Sequence, residues 1–291
     1  MYRERCLEWF RRHHGAAAAS PAARLAEGVL ERLSRLGGAA RPSADHFQAC
    51  LNDRDRFGIA KLVHVIEGPA ALSAARRRAV REAVELANSR CGARFSIAPL
   101  ERFYDELERA GVRDWLPIVS LELRPGDGAA VEFSLYCERQ PAAAAKAAAE
   151  ALGVRDRPRV AAAAKALEAV GLDLLADGGA RLKLYARAPA DRAPALLELL
   201  DAALRPPSIL LMTRTSPDGE FEARDKAYVP LPSRSSGRPA ACLGEELPLL
   251  TRGPLQRFAR EALAATRGQR VYYVGASAEK TELYFGGEAR P

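Results

Sequence analysis

The sequence predicts an α+β fold in which helices form a ring around ten antiparallel strands that close into a barrel. Two observations predict it. Helical periodicity and then strand periodicity follow one another in the order helix, helix, strand, strand, and this order recurs five times along the chain. Each pair of strands is joined by a polar or glycine-containing turn, so that neighbouring strands run antiparallel.

The same pattern also fits an open antiparallel sheet with helices on one face and water on the other. Ten strands are many for an open twisted sheet, which tends to curl or split at that size. Closure also removes exposed strand edges. The polar face of the strands is rich in tyrosine, where a solvated face would carry more Thr, Gln and Ser. These points favour the barrel.

The first two rounds each place a hairpin after helical segments. A polar turn at 52–56 joins the first two strands, and Pro125-Gly126-Asp127-Gly128 joins the next two. The predicted helices cover residues 6–14, 21–36, 70–87 and 100–110, and the predicted strands cover residues 46–51, 59–66, 116–124 and 131–137.

The other three rounds contain hairpins with turns at 177–179, 216–219 and 275–277. A Pro206-Pro207 pair ends the helix of the fourth round. The loop at 230–247 is rich in Pro, Ser and Gly and is either a lid or a linker. We expect a single domain spanning residues 1–291. The predicted helices cover residues 142–152, 159–170, 193–204 and 254–266, and the predicted strands cover 173–176, 181–187, 209–214, 221–228, 270–274 and 280–285.

The composition argues against several classes of protein. The five cysteines are far apart and form no C-x-x-C pair, so we expect neither a zinc site nor disulfides, and the reducing cytoplasm is the expected location. No apolar run reaches the length of a membrane span, and the charged N-terminus does not resemble a secretory signal. The net charge of +7 is compatible with a nucleic-acid partner, with solvated arginine-rich helices, or with an internal anion site.

The strand at 181–187 carries the most informative pattern. Leu182, Leu184 and Ala186 form one face, and Arg181, Lys183, Tyr185 and Arg187 form the other. The order Arg-x-Lys-x-Tyr recurs at Arg224, Lys226 and Tyr228. Five of the eight tyrosines lie on the predicted polar face of the sheet, namely Tyr136, Tyr185, Tyr228, Tyr272 and Tyr284.

These residue types together fit one kind of chemistry. Arginine and lysine bind phosphate oxygens, aromatic faces attract cations, and glutamates act as general bases. A chamber that contains all three is suited to the ionisation of an allylic diphosphate and the capture of its carbocation. The candidate cations are Lys61, Arg124, Lys183, Arg224 and Lys226, and the candidate bases are Glu122 and Glu132, with Glu282 as a third carboxylate on the same face.

The five rounds of helices and hairpins, with Lys183-x-Tyr185 and Arg224-x-Lys226-x-Tyr228, resemble the ABBA prenyltransferases. The resemblance implies the ten-stranded prenyltransferase barrel, with these two strands binding the diphosphate and tyrosines shielding the prenyl group. Tyr272 and Tyr284 match by their position in the last hairpin. The segment 130–134 resembles the glutamate strand of the indole branch, but it lies in the second hairpin instead of the first. No cofactor is required, and Mg²⁺ is optional.

The expected activity is transfer of a dimethylallyl or geranyl group from its diphosphate to a phenol, an indole or a peptide side chain. The expected partners are therefore a prenyl diphosphate and an aromatic or peptide acceptor, without nucleic acid or membrane. The alternative is a module without catalytic activity that binds an acidic ligand or RNA through a basic sheet face. Glutamates in the hairpins disfavour RNA, since they would repel its phosphates.

Overall fold

The strands of the protein pair in one antiparallel sheet. The computed structural model describes residues 48–52, 60–65, 73–91, 93–112, 117–123, 130–138, 140–223, 226–231, 247–266, 270–277 and 280–286. The predicted helices at 6–14 and 21–36, and nearly all of the loop at 230–247, lie outside these residues.

Ten strands form the sheet, and every pair of neighbours is antiparallel. Each strand pairs with the strands before and after it in the chain. The first strand also pairs with the last, so that Cys50 lies opposite Tyr284 and the sheet closes on itself. The strands are β1 Gln48–Asn52, β2 Ala60–Val65, β3 Pro117–Leu123, β4 Ala130–Cys137, β5 Leu167–Leu175, β6 Ala180–Pro189, β7 Ser208–Arg214, β8 Lys226–Pro230, β9 Arg270–Ala276 and β10 Thr281–Gly286.

The helices pack on the sheet through apolar stripes with helical spacing. In the first of them Val80, Ala83, Val84 and Ala87 are fully buried. The alanine-rich helix that follows β4 buries six alanines, so it packs closely, as its composition predicts. The helices are α1 Ser73–Cys91, α2 Ala98–Arg109, α3 Pro141–Ala151, α4 Arg157–Ala163, α5 Pro194–Glu198 and α6 Gly253–Thr266.

The apolar core lies between the helices and the outer face of the sheet. Leu182 and Leu184 of β6, with Leu172 and Leu174 of β5, are at most 1% exposed and belong to this core. Alternation along a strand then turns the intervening residues to the inner face. The predicted α+β class with an antiparallel sheet is confirmed. In the part of the chain that the structure describes, every helix is too short or too polar to cross a membrane.

Two predicted helices are wrong in extent. The helix predicted at 159–170 ends at Ala163, and a 3₁₀ turn, Ala164–Ala166, leads into β5 at Leu167. The alternating residues from Val170 to Leu174 pair with β6, and this tertiary pairing overrides the helical preference of the alanines before them. The helix predicted at 193–204 is limited to α5 and a 3₁₀ turn, because the backbone around Leu200 bonds to residues 250–252 instead.

Some predicted strand boundaries also differ, and the strand predicted at 173–176 is much longer, since β5 spans Leu167–Leu175. The strand predicted at 221–228 begins at Lys226, and Phe221 makes only an isolated bridge to Thr215. In the last hairpin β9 continues through Ala276, and the turn follows at Ser277, whose amide donates to the Lys280 carbonyl. Gly275, which was predicted to form this turn, is therefore a residue of the sheet.

Candidate active site

The inner face of the sheet carries charged residues and tyrosines in two layers. On β6, β8 and β10 a charged residue is followed two positions later by a tyrosine, and in each case the charged residue is nearer the hairpin turn. Two residues of a strand span about 6.6 Å, so on each of these strands the tyrosine lies about 6.6 Å further from the turn than the charged residue. The charged layer comprises Glu132, Asp173, Arg181, Lys183, Lys226, Lys280 and Glu282, and the tyrosine layer comprises Tyr136, Tyr185, Tyr228, Tyr273 and Tyr284.

Lys183 is the most enclosed cation of the charged layer, with 5% of the residue exposed. Its Nζ lies 2.6 Å from Glu132 Oε1 and 2.7 Å from Asp173 Oδ2. Burial opposes the charged form of this lysine, but attraction by Asp173 and Glu132 outweighs it and raises the pKa of Lys183 well above its usual value. The lysine is therefore held charged inside the sheet.

Arg181 bridges the same two carboxylates. Its Nε donates to Asp173 Oδ2 at 2.8 Å, and its other end pairs with Glu132. Burial disfavours the charged guanidinium, but Glu132 and Asp173 raise the pKa of Arg181 above its usual value. Ser134 completes the group by donating to Glu132 Oε1 at 2.8 Å. Asp173 Oδ1 is buried and has no hydrogen-bond partner in the structure.

A second ionic group lies on β8 and β10. Glu282 pairs with Lys226 and, through Oε1, with Lys280 Nζ at 2.7 Å. Burial would raise the pKa of Glu282, but the two lysines hold it far below its usual value. The hydroxyl of Tyr284 donates to Glu282 and accepts from Lys226 Nζ at 3.2 Å. The carboxylate thus fixes two ammonium groups and one phenol.

The tyrosine rings form a continuous row. Ring centroids are 5.9 Å apart for Tyr136 and Tyr185, 5.9 Å for Tyr185 and Tyr228, and 5.6 Å for Tyr228 and Tyr284. Tyr273 extends the row, at 6.4 Å from Tyr284 in an edge-on arrangement. These are the tilted and edge contacts that aromatic rings favour. The row presents π faces beside the charged layer.

Two glycines make this close arrangement possible. A Cβ atom at Gly171 would lie 3.2 Å from the Cβ of Lys183 and 3.2 Å from the ring of Tyr136. A Cβ atom at Gly275 would lie 3.3 Å from Lys226, Tyr228 and Tyr284 alike. Because neither glycine has a side chain, a lysine and tyrosine rings can pack directly against the strand backbone at each of these positions.

The structure brings together many of the predicted site residues. Glu122 is half-buried and contributes to the raised pKa of Lys280, whose largest influences are burial, which opposes the charge, and Glu282. Arg124 and Arg224 lie outside the described residues, as do the side chains of Lys61 and Tyr272. The predicted residues that lie on the inner face described above are Glu132, Lys183, Lys226, Tyr136, Tyr185, Tyr228 and Tyr284.

Two members of the site were missed from the sequence. Tyr273 joins the ring row because the pairing of β9 with β10 is irregular: Tyr284 lies opposite Tyr273 and Phe285 opposite Val271, so strict alternation fails at Tyr272. Asp173 was placed at the start of a short strand. The sequence signal for Asp173 was a single carboxylate between two leucines of a strand. A charge that is buried in this way requires ionic or hydrogen-bonding partners, so its presence indicates a charged site.

Lys183 and Lys226 do not form a basic surface. Lys183 and Lys226 have side chains only 7% and 12% exposed and are paired with carboxylates, so a phosphate backbone running across the sheet could not reach them. Among the described residues, no group of three or more His, Cys, Asp and Glu side chains is placed to hold a metal ion. The arrangement suits a small anion beside an aromatic cage.

No protein-family model matches the sequence, and no curated protein is significantly similar to it. Solved structures are similar over nearly the whole chain. The 5-dimethylallyl tryptophan synthase from Streptomyces coelicolor, in complex with DMASPP and Trp, is 18% identical with a TM-score of 0.61, covering 100% of this chain and 97% of that chain. PriB, in a binary complex with product diphosphate, is 21% identical with a TM-score of 0.60, covering 100% and 98%.

A third similar structure is the 6-dimethylallyltryptophan synthase from Micromonospora olivasterospora, in complex with DMASPP and Trp. It is 17% identical with a TM-score of 0.51 and covers 92% of this chain and 97% of that chain. At these identities the likeness is one of fold. The resemblance to the ABBA prenyltransferases that the sequence indicates is therefore confirmed as a resemblance of fold.

Proposed function

We propose that this chain is a prenyltransferase that moves a dimethylallyl or geranyl group from its diphosphate to an electron-rich aromatic acceptor. The observation that carries the proposal is that the charged layer and the tyrosine layer lie next to each other on the inner face of the sheet. Buried Lys183 and partly buried Lys226 lie beside a row of tyrosine rings whose centroids are 5.6 to 6.4 Å apart. An anion in the charged layer would place an attached apolar chain against the rings.

The proposal includes the finer architecture of the prenyltransferase barrel, with ten strands from five ααββ repeats in one domain spanning residues 1–291. The hydrogen bonding of β1 to β10 supports it. So does the extent of the structural likeness, which reaches 100% of this chain and 97% of a tryptophan prenyltransferase chain.

In the first step the C–O bond of the prenyl diphosphate breaks and its electron pair leaves with the diphosphate. Lys183 and Lys226 stabilise the growing negative charge, with Lys61, Arg124 and Arg224 as further candidates. The allylic cation is left facing Tyr185 and Tyr228, whose π faces attract it. The rings also exclude water, which would otherwise capture the cation as prenyl alcohol.

In the second step the acceptor ring attacks. A pair of ring π electrons forms the new C–C bond, and the ring carbon then loses its proton to a carboxylate, which restores aromaticity. We assign this proton to Glu132 or Glu122. Glu132 has the better support, since Ser134, Lys183 and Arg181 hold its carboxylate in one orientation.

The acceptor class follows from the proposed chemistry. An indole or a phenol, free or as a side chain of a peptide, has the electron density that a carbocation needs. The structural neighbours were solved with tryptophan and with dimethylallyl analogues, which favours an indole and a dimethylallyl donor. The lysines stabilise the leaving group, so no cofactor is required and Mg²⁺ is optional. We place the reaction in the cytoplasm.

The direct test incubates the full chain with dimethylallyl or geranyl diphosphate and a panel of tryptophan, tyrosine and short peptides that contain them, with and without EDTA. We expect a product with the mass of one added prenyl group on an aromatic acceptor. Lys226→Ala, checked for folding by circular dichroism, is the inactive control. The absence of prenylated product and of released diphosphate across the panel would reject the function.

A further inference from the structure

The ammonium group of Lys226 lies among aromatic faces as well as beside a carboxylate. Its Nζ is 4.9 Å from the ring centroid of Tyr228 and 5.6 Å from that of Tyr284. A cation within about 6 Å of a ring centroid is attracted to the π face. Because the side chain of Lys226 is only 12% exposed, water weakens this attraction little. Lys226 thus marks a point where two rings stabilise a positive charge.

A carboxylate and a bare backbone position complete the surroundings of this point. Glu282 pairs with Lys226. A Cβ atom at Gly275 would lie 3.3 Å from Lys226 Cε and equally close to the rings of Tyr228 and Tyr284. A methyl group added at Gly275 would therefore crowd the space that the Lys226 ammonium occupies between the two rings. Tyr228, Gly275, Glu282 and Tyr284 together surround the ammonium group, and we call this group of residues the cation seat.

Lys226 can leave the cation seat without stranding a buried charge. After its departure Glu282 would keep Lys280 at 2.7 Å from Oε1 and the donated hydroxyl of Tyr284. A buried carboxylate with no partner is strongly unfavourable, but one that keeps an ammonium and a hydroxyl is not. An incoming anion can therefore compete for Lys226 without disrupting the seat.

We propose that Lys226 occupies the cation seat until a diphosphate draws its ammonium away, and that the seat then binds a small alkylammonium ion. This inference rests on the proposed function, in which the prenyl cation is the natural occupant. An alkylammonium has the same charge and a similar apolar shell. Diphosphate and alkylammonium therefore bind cooperatively, and the place that shelters the reactive cation is opened only by its own leaving group.

The test uses the full chain, tetramethylammonium and inorganic pyrophosphate, with calorimetry at constant ionic strength. In the wild type we expect saturating pyrophosphate to tighten tetramethylammonium binding about fivefold or more, the factor that contact with one or two ring faces supplies. In Lys226→Ala the side chain that fills the seat is removed, so tetramethylammonium binds without pyrophosphate and pyrophosphate no longer tightens it.

Two further variants make the comparison specific. Gly275→Ala introduces the methyl group that crowds the seat, so it weakens tetramethylammonium binding in the presence of pyrophosphate. Arg159→Met is the matched control, because Arg159 lies 4.5 Å over the ring of Phe221 and its own side chain is exposed outside the site. Removing this second cation–ring pair should leave the cooperativity unchanged.

Two results would overturn the inference. One is equal affinity of the wild type for tetramethylammonium with and without bound pyrophosphate. The other is a folded Lys226→Ala protein that does not bind tetramethylammonium. The measurement on the Lys226 variant needs no pyrophosphate, so it tests the inference even if pyrophosphate does not bind to the protein. Failure of the proposed function is recognised separately, by the lack of prenylated product from the wild type.

Discussion

Gly171 on β5 lies directly opposite Lys183 on β6, and a side chain at residue 171 would meet both this lysine and the ring of Tyr136. A glycine is thus placed between the most enclosed cation of the charged layer and the first ring of the row. The ionic and aromatic layers meet at this point, and both depend on the same absent side chain.

Gly171→Val should therefore disturb stability and activity together. The added carbons cannot be accommodated without moving Lys183 or Tyr136, and overpacking of this kind costs about 1–3 kcal/mol. We expect this loss in urea denaturation, with a clear fall in the rate of prenyl transfer. Ala162→Val, on the exposed surface of α4, is the control and should change stability by no more than about 0.5 kcal/mol. Equal effects of the two changes would contradict the packing argument.

Removal of the Lys183 ammonium should be strongly destabilising. Lys183→Met leaves Arg181 as the cation that pairs with Glu132 and Asp173 among the described residues, and breaking a buried ion pair from one side costs about 3 kcal/mol. Adding Asp173→Asn removes one uncompensated charge, so the double variant should recover part of this loss. Lys165→Met on the surface is the control for loss of one lysine. Strict additivity of the two inner changes would count against the shared cluster.

Stability should depend on the titration of Glu282 in acid. Because its folded-state pKa lies below that of the unfolded chain, its ion pairs contribute stability above about pH 4.3, and this contribution is lost as the pH falls below that value. Urea denaturation should show a steeper fall for the wild type than for Glu282→Gln between about pH 5 and pH 3. Parallel pH profiles for the two proteins would show that the lysines do not depress this pKa.

The tyrosine row should determine how much prenyl diphosphate is lost to water. Tyr185→Ala and Tyr228→Ala each remove one ring from the row and should raise the ratio of prenyl alcohol to prenylated acceptor. Tyr228→Phe keeps the π face and is the matched control, with a ratio near that of the wild type. Chromatographic measurement of both products gives this ratio, and an unchanged ratio in both alanine variants would reject shielding by the rings.

The proton acceptor can be distinguished with two isosteric changes. Glu132→Gln should lower the rate of product formation by roughly 100-fold or more, the range for loss of a general base. Glu122→Gln, which changes the half-buried residue opposite Glu132 on β3, should have a smaller effect. Circular dichroism checks that both variants fold. If the order of the two effects is reversed, the role belongs to Glu122.

The sequence was sufficient wherever local periodicity and tertiary pairing agree. The alternation of Leu182 and Leu184 with Lys183 and Tyr185 predicts the inner face of β6, because one side of this strand is strictly apolar. The same rule fails at Tyr272 and Tyr273, where the irregular pairing of β9 with β10 breaks the period of two. A local pattern contains no signal for an irregularity that the partner strand helps to set.

The ion pairs of the charged layer were also beyond local reasoning. Glu132 and Lys183 are 51 positions apart in the chain, and their contact depends on the register of three strands. The start of β5 was missed for a related reason, since the alanines before it favour a helix until β6 offers hydrogen bonds. The predicted cations were expected to be free for phosphate, whereas those described are held by carboxylates.

The hydrogen bonding of β1 to β10 joins the two strands that are furthest apart in the chain. During synthesis the earlier strand must therefore wait for the last one, and until then the nascent sheet has two open edges. Closure of the sheet therefore requires that β10 has left the ribosome, and a nascent sheet without β10 exposes two edges at which strands of other molecules can pair.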